Sequence, residues 1–394
     1  MKYKELLERY KNGLVSDEEK LSIEQDIEKY EAIEEYLSDI IDNDYADLTE
    51  LPMIEKNTSE TINIKKSVNK RLRKVVLSSV AIVIVLVFAA LFVISPIIDS
   101  LYYNPSKVSV GKYDKDIDFD MNVFTELNKP GYTVDNVFVD KQGFGKYEIS
   151  YSYRNIFTDE FSKVNSIIKQ GEISTIHNET IENYLMFWDV QRPNKEQKNI
   201  DKHKEKVLNH IKQLNPVSYI SAAVSFNNDL NMEELYHLES KYPDIDFIWA
   251  GIRTNIPNNE TKALIGIQLL SSNGVRLDDG VEEKYTAFSI LKWLVNPVSI
   301  EKSEMPLVAQ AYELHYKSLL QYVLDREEEV NTIERIPWKN EFYQSALNYA
   351  EEHGVKTYGV LVFAEAKNLV ELIENEQIKL VEFNQALVSR RNIQ

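Results

Sequence analysis

The chain has 394 residues, 43% of them hydrophobic and 27% charged, with 63 acidic against 45 basic side chains and no cysteine. A formal charge of -18 repels phosphate, so the chain is read as one with no direct nucleic-acid partner. Without cysteine there are no disulfides, thiolate zinc sites, iron–sulfur clusters or cysteine nucleophiles, and the length provides for about two or three domains.

Residues 1–60 carry 7 basic and 18 acidic side chains and read as a small helical domain. Tyr3, Leu6, Leu7 and Tyr10 recur at helical spacing and form one apolar stripe, broken at Lys11-Asn12-Gly13. Ser16-Asp17-Glu18-Glu19 is a capping box: Ser16 can cap a second helix while Glu19 reaches back to it. That helix carries a seam of Ile23, Ile27, Tyr30, Ile33, Leu37 and Ile40, with acids on its other faces. Two short helices bury too little surface to stand alone. The seams pack on each other, on a second copy of the chain or on another protein, and periodicity does not choose among these.

Residues 61–74 form a basic linker with Lys65, Lys66, Lys70, Arg71, Arg73 and Lys74. No charge occurs from Val75 to Ile98. At 1.5 Å per residue that stretch covers about 36 Å, enough for a hydrocarbon core of about 30 Å, and it reads as one transmembrane helix. The basic flank precedes it and Asp99 follows, so the positive-inside rule puts residues 1–74 in the cytoplasm and residues 99–394 outside the cell. Pro96 is expected to end the helix, and Tyr102 and Tyr103 to join an interfacial aromatic belt.

Beyond Lys107 strand-like and helix-like runs alternate. One βαβ unit is expected from Val217 to Arg253, with its helix opening near Asn231, and a second from Thr357 to Leu387, with its helix at Ala366–Glu376. Further helices are expected at Lys195–Leu214, Asp279–Leu294, Met305–Val330 and Trp338–His353. The fold class is α+β, with an extracytoplasmic mixed α/β domain containing βαβ units and right-handed crossovers. Asp114, Asp116, Asp118 and Asp120 alternate, so on a strand their carboxylates would line one side. Phe119 stands where a calcium loop needs glycine, which favours a solvated strand face over a metal site. His203 and His210 lie seven apart on a charged helix and read as a solvated face. No nucleophile elbow, P-loop, His-Glu-x-x-His helix or dinucleotide fingerprint occurs, so no enzyme, catalytic residue, metal or cofactor is expected.

The run Tyr10-Lys-Asn-Gly13-Leu14-Val-Ser16-Asp-Glu18-Glu19 resembles the opening of anti-sigma domains that hold extracytoplasmic-function sigma factors at the membrane. Many such domains continue with a His-x-x-x-Cys-x-x-Cys zinc motif. The matching positions here are Asp26, Tyr30 and Ile33, so the resemblance implies apolar packing by Tyr30 and Ile33 in place of metal.

The outer region carries a second likeness. Phe124-Thr125-Glu126-Leu127, Pro130-Gly131-Tyr132 and Gly143-Phe144-Gly145, then Ala223-Val-Ser225-Phe226-Asn227 through Glu233-Glu-Leu235, Trp249-Ala-Gly251-Ile252-Arg253 and Tyr358-Gly359-Val360, resemble the sigma factor regulator C-terminal domain. The combined resemblance implies a single-pass, cell-membrane anti-sigma factor. Its N-terminal helices would sequester an extracytoplasmic-function sigma factor, and its outer domain (99–394) would answer to an envelope ligand or a second membrane protein. Tyr3, Leu6, Leu7, Tyr10, Leu14, Ile23, Ile27, Tyr30 and Ile33 are the expected sigma-binding residues. The alternative is a signal-anchored envelope protein whose outer domain binds a ligand or cell-wall component.

Overall fold

The computed structural model describes residues 10–12, 15–46, 58–178, 197–255, 264–272, 281–295, 306–335 and 338–390, which divide into two compact units, residues 1–83 and 84–394. In the first unit, α1 runs Asp17–Ala46. Its capping box is formed: Glu19 N donates to Ser16 Oγ (3.3 Å) and Ser16 N to Glu19 Oε2 (3.0 Å).

A second helix, α2, covers Thr58–Ala89 and is continued by a π turn at Ala90–Ile94 and by α3, Ser95–Leu101. Residues 66–101 form a helix long and apolar enough to cross a membrane, and only 6% of its most apolar window is buried, unlike a core helix. Pro96 does not end it. Proline lacks the amide that would return to the carbonyl four residues back, and its ring crowds that carbonyl. The helix widens into the π turn and takes Pro96 into the first turn of α3.

The second unit takes in the last residues of α2, the π turn and α3, and its next helix, α4, runs Asp116–Asn128. Three of the alternating aspartates, Asp116, Asp118 and Asp120, are therefore on a helix, not a strand, and Asp114 lies in the bend before it. Asp118 caps its start, accepting from Lys115 N at 3.1 Å, while Asp116 accepts from Ser109 Oγ at 2.6 Å and Val110 N at 2.9 Å. Asp120 is fully buried. The backbone amides and hydroxyls they satisfy decided the local conformation, which an alternation count does not register.

An antiparallel meander follows: β1 (Tyr132–Gly143), β2 (Lys146–Asn155), β3 (Phe161–Lys169) and β4 (Glu172–Asn178), paired in that order. Tyr147, Ile149, Val164 and Ile168 point to a small core that also takes in Ile117 and Met121 of α4, and Tyr103. Tyr103, 4% exposed, is thus a core residue rather than a belt residue.

The larger sheet has the order β7-β6-β8-β5-β9, with every neighbouring pair antiparallel. Its strands are β5 (Tyr219–Asn231), β6 (Ile245–Ile252), β7 (Gly266–Gln268), β8 (Lys356–Glu365) and β9 (Ile378–Leu387). Helices α5 (Gln197–Gln213), α6 (Met232–Lys241), α7 (Ile290–Val295), α8 (Leu307–Leu324), α9 (Glu327–Glu334), α10 (Lys339–His353) and α11 (Ala366–Asn375) complete the unit. Both expected strand–helix–strand units are present, β5-α6-β6 and β8-α11-β9, but each is split. β8 lies between β5 and β6, and β5 between β8 and β9, which is the ferredoxin-like interleaving of two βαβ halves. The sheet is therefore antiparallel between neighbours instead of parallel.

Ile220, Ala222 and Val224 of β5 meet helix residues such as Leu235, Tyr316, Leu319 and Leu369 on one face. Trp249, Leu361 and Phe363 are covered on the other by Phe157 from the turn after β2. Burial on both faces explains the near-continuous apolar run of β5. The helix expected at 279–294 is reduced to α7, preceded by turns over 281–289. His203 lies 3.3 Å from Glu382 and His210 packs edge-on against Phe383, so these histidines dock α5 on β9 rather than standing free.

Candidate functional site

On α1 the seam divides. Ile23 is 1% exposed, whereas Ile27, Tyr30 and Ile33 are 38%, 72% and 54% exposed. These three, with Leu21 also exposed, form an apolar strip among Glu24, Glu28, Glu31, Glu34 and Glu35. Tyr10 donates its hydroxyl to Glu24 at 3.2 Å, which ties the segment before the capping box to α1. Tyr3, Leu6, Leu7 and Leu14 lie outside the described residues, as do the side chains of Leu37 and Ile40.

The expectation that Tyr30 and Ile33 act as a packing staple in place of zinc is corrected: both face outward. Asp26, at the first matching position, is held by Lys29 at 3.0 Å. Among the described residues no group of His, Cys, Asp and Glu could hold a metal ion.

The second unit contains a small cleft of about 100 Å³, lined by α4, β7, the turns before α7, and α8. At its base Glu126 and His315 meet, with Nε2 2.7 Å from Oε1, while His315 Nδ1 lies 2.9 Å from the Ala287 carbonyl. Both imidazole nitrogens thus face acceptors, an arrangement that the doubly protonated ring satisfies. Burial pulls the His315 pKa down, but the charge and hydrogen bond of Glu126 carry it above the ordinary histidine value. Gln268 N donates to the same Oε1 at 3.0 Å, and Trp249 Nε1 to the Glu126 carbonyl at 2.7 Å. Glu126 is therefore the point where α4, β6, β7 and α8 are joined. The pair brings a carboxylate and an imidazole into hydrogen-bond contact at this point. Sequence patterning missed it because Glu126 and His315 are distant in the chain and neither stands in a motif of paired residues.

Several residues of the outer likeness come together through packing. Asn231 and Glu234 form a reciprocal capping box with both bonds at 2.8 Å, starting α6. Arg253 makes a two-pronged bond to Asp229 (2.7 and 2.8 Å) and lies 5.0 Å over the Tyr358 ring. A side chain at Gly251 would come within 2.6 Å of that same ring, so the close approach of β6 and β8 requires glycine there.

Residues 211–385 match the sigma factor regulator C-terminal family. The matched segment begins at the end of α5 and takes in the whole interleaved βαβ module with the helices inserted between β7 and β8. The meander, the apolar helix and α1 precede it. The match points to an anti-sigma role and to a sigma factor as partner. Comparison with curated proteins and with solved structures gives no match.

Proposed function

We propose that the chain is a membrane-anchored anti-sigma factor of the extracytoplasmic-function type. The observation that carries this reading is the family match over residues 211–385, on a chain whose residues 66–101 can cross a membrane. Domains are assigned as residues 1–60 (sigma-binding helices), 61–74 (basic linker), 75–98 (membrane span) and 99–394 (outer regulatory domain). The six lysines and arginines just before the span, against none from Asp99 to Ser106 just after it, favour a cytoplasmic N-terminus.

The sigma-binding surface is centred on Ile27, Tyr30 and Ile33, extended by Tyr3, Leu6, Leu7, Tyr10 and Leu14, while Ile23, expected to share in binding, is buried and packs behind it. Each exposed apolar side chain would contribute about 1.5–3 kcal/mol when fully covered by a partner. The surrounding acids suit a partner whose nucleic-acid-binding surface is basic, and occupying that surface keeps it from promoter DNA. The outer domain would govern release in answer to an envelope ligand or a second membrane protein, without catalysis.

Purification of the full-length chain from detergent-solubilised membranes, co-expressed in turn with each extracytoplasmic-function sigma factor of its own cell, tests the reading. The expected result is a stoichiometric complex that is lost on deleting residues 1–46. Recovery of the chain alone, with unaltered expression from the sigma-dependent promoter, would instead favour a signal-anchored envelope protein.

A further inference from the structure

The last turns of the apolar helix are not free of the outer domain. Ser95 and Asp99, one helical turn apart, are both buried although the side chains around them, Ile94, Ile97 and Leu101, are exposed. Both polar groups are spent on the tip of the β1–β2 hairpin. Phe144 N donates to Ser95 Oγ at 2.9 Å, Gly145 N donates to Asp99 Oδ1 at 2.7 Å, and Lys141 Nζ lies 2.7 Å from Asp99 Oδ2. A Cβ at Gly143 would stand 3.1 Å from Ser95 Oγ, and one at Gly145 3.3 Å from Ile98 Cγ2.

The second hairpin tip joins the first, through Gln170 N donating to the Gly145 carbonyl at 2.8 Å. A Cβ at Gly171 would be 3.7 Å from the Tyr102 ring. Two hairpin tips therefore stand side by side against the helix between Ser95 and Tyr102.

This fixes their depth. Ser95 is three residues inside the end of the uncharged stretch, about 4.5 Å at 1.5 Å per residue. With residues 75–98 spanning a membrane, a tip bonded to it would lie at the boundary between hydrocarbon and headgroups. At that level the turn presents Phe144, which is 39% exposed. Phe144 has φ +54°, between Gly143 at +83° and Gly145 at +72°. A bulky residue in the left-handed region is strained, and this position of a two-residue hairpin turn ordinarily takes Asn, Asp or Gly. Beside it Lys146 and Lys169 are directly opposed across β2 and β3, a like-charge pairing that is unfavourable in water and is relieved by an intervening anion. Glu172 opposes Lys169 on the other side, at the far edge of the second tip.

We propose that the paired hairpin tips, Gln142–Lys146 and Lys169–Glu172, form a foot that rests in the bilayer interface, with Phe144 among the upper acyl chains and Lys146 and Lys169 facing lipid phosphate. The proposal rests on the reading that residues 75–98 span a membrane. It adds that the outer domain is held at a fixed height and orientation by lipid as well as by its tether.

The natural absence of cysteine makes the test direct. The full-length chain carrying Phe144→Cys, Gln142→Cys, Phe138→Cys or Val85→Cys is labelled with a fluorophore. It is then reconstituted in vesicles of phosphatidylglycerol and phosphatidylethanolamine containing shallow or deep nitroxide lipids. Phe138 is exposed on the same strand, about 20 Å from Phe144 at 3.3 Å per residue. Shallow nitroxide is expected to quench labels at both tip positions several-fold more than the label at 138. Equal, weak quenching at 142, 144 and 138, with strong quenching of the 85 label by deep nitroxide, would overturn the foot and leave the span standing. An unquenched label at 85 would overturn the span and the foot with it.

Discussion

Removing the carboxylate of Asp120 is expected to be among the most damaging single changes in the outer domain. Asp120 is 0% exposed and receives Arg326 Nη2 at 2.9 Å, Tyr322 OH at 2.8 Å and Tyr103 OH at 2.9 Å. In Asp120→Ala the guanidinium, itself 9% exposed, keeps only Asp116 at 3.8 Å and Glu329 at 3.1 Å. Stranding one member of a buried pair costs about 3–5 kcal/mol. Two tyrosine hydroxyls also lose an acceptor, which keeps the expected loss in that range even though Glu329 remains. For a domain of this size each kcal/mol moves Tm by about 2–4 °C, so the unfolding midpoint of the detergent-solubilised chain should fall by roughly 6–20 °C. Pairing Asp120→Leu with Arg326→Met removes both charges and should recover most of the loss. A fall of less than about 2 °C for Asp120→Ala would refute the reasoning, because it would mean that the carboxylate is not what compensates Arg326.

Burial pushes the Glu239 carboxyl up to about 7, partly offset by the Tyr312 hydroxyl that donates to it at 3.1 Å. A raised folded-state pKa gives a contribution that is complete below the unfolded value and lost as pH rises through the folded one. Stability should therefore decline by about 2–3 kcal/mol between pH 4.5 and 8, and Glu239→Gln should flatten that decline in urea titrations at several pH values. His315 follows the same sign at higher pH. Its folded pKa is raised, so its contribution is complete below about 6.5 and is lost as pH climbs through the folded value; His315→Gln should remove that dependence. Tyr30→Glu and Ile33→Glu should weaken sigma-factor capture at least tenfold in a binding titration, about 1.4 kcal/mol, with the chain's own Tm unchanged because both side chains are exposed.

Much of the outer architecture is legible from local signals. The Asn231 cap, the Ala366 start after a run of Val, Leu and Phe, and the breaks at Tyr242-Pro243 locate both strand–helix–strand halves within a few residues. Their interleaving is not legible, because strand order depends on which edges meet, and β8 fits between β5 and β6 only through close approaches such as Gly251 against Tyr358. The meander escaped for a different reason. β1 is buried on consecutive residues at its start and alternates only later, so its period is broken where it meets α4 and the larger sheet. The aspartates of 114–120 misled because alternation is also what a helix start offers when one carboxylate caps, one braces a loop and one is buried on arginine. On α1 the capping box was legible in full, but which seam residues stay exposed was not, since burial is decided by neighbours that periodicity does not name.

The central claim is that this chain withholds a sigma factor from RNA polymerase at a membrane. Run-off transcription from the sigma-dependent promoter, with core polymerase, the sigma factor and the full-length chain in proteoliposomes, measures it directly. Transcript should fall to background as the chain reaches equimolar amounts and should persist when the chain carries Ile27→Glu together with Tyr30→Glu and Ile33→Glu. Undiminished transcript in the presence of excess unaltered chain, exposed on the accessible side of the vesicle, would contradict the account.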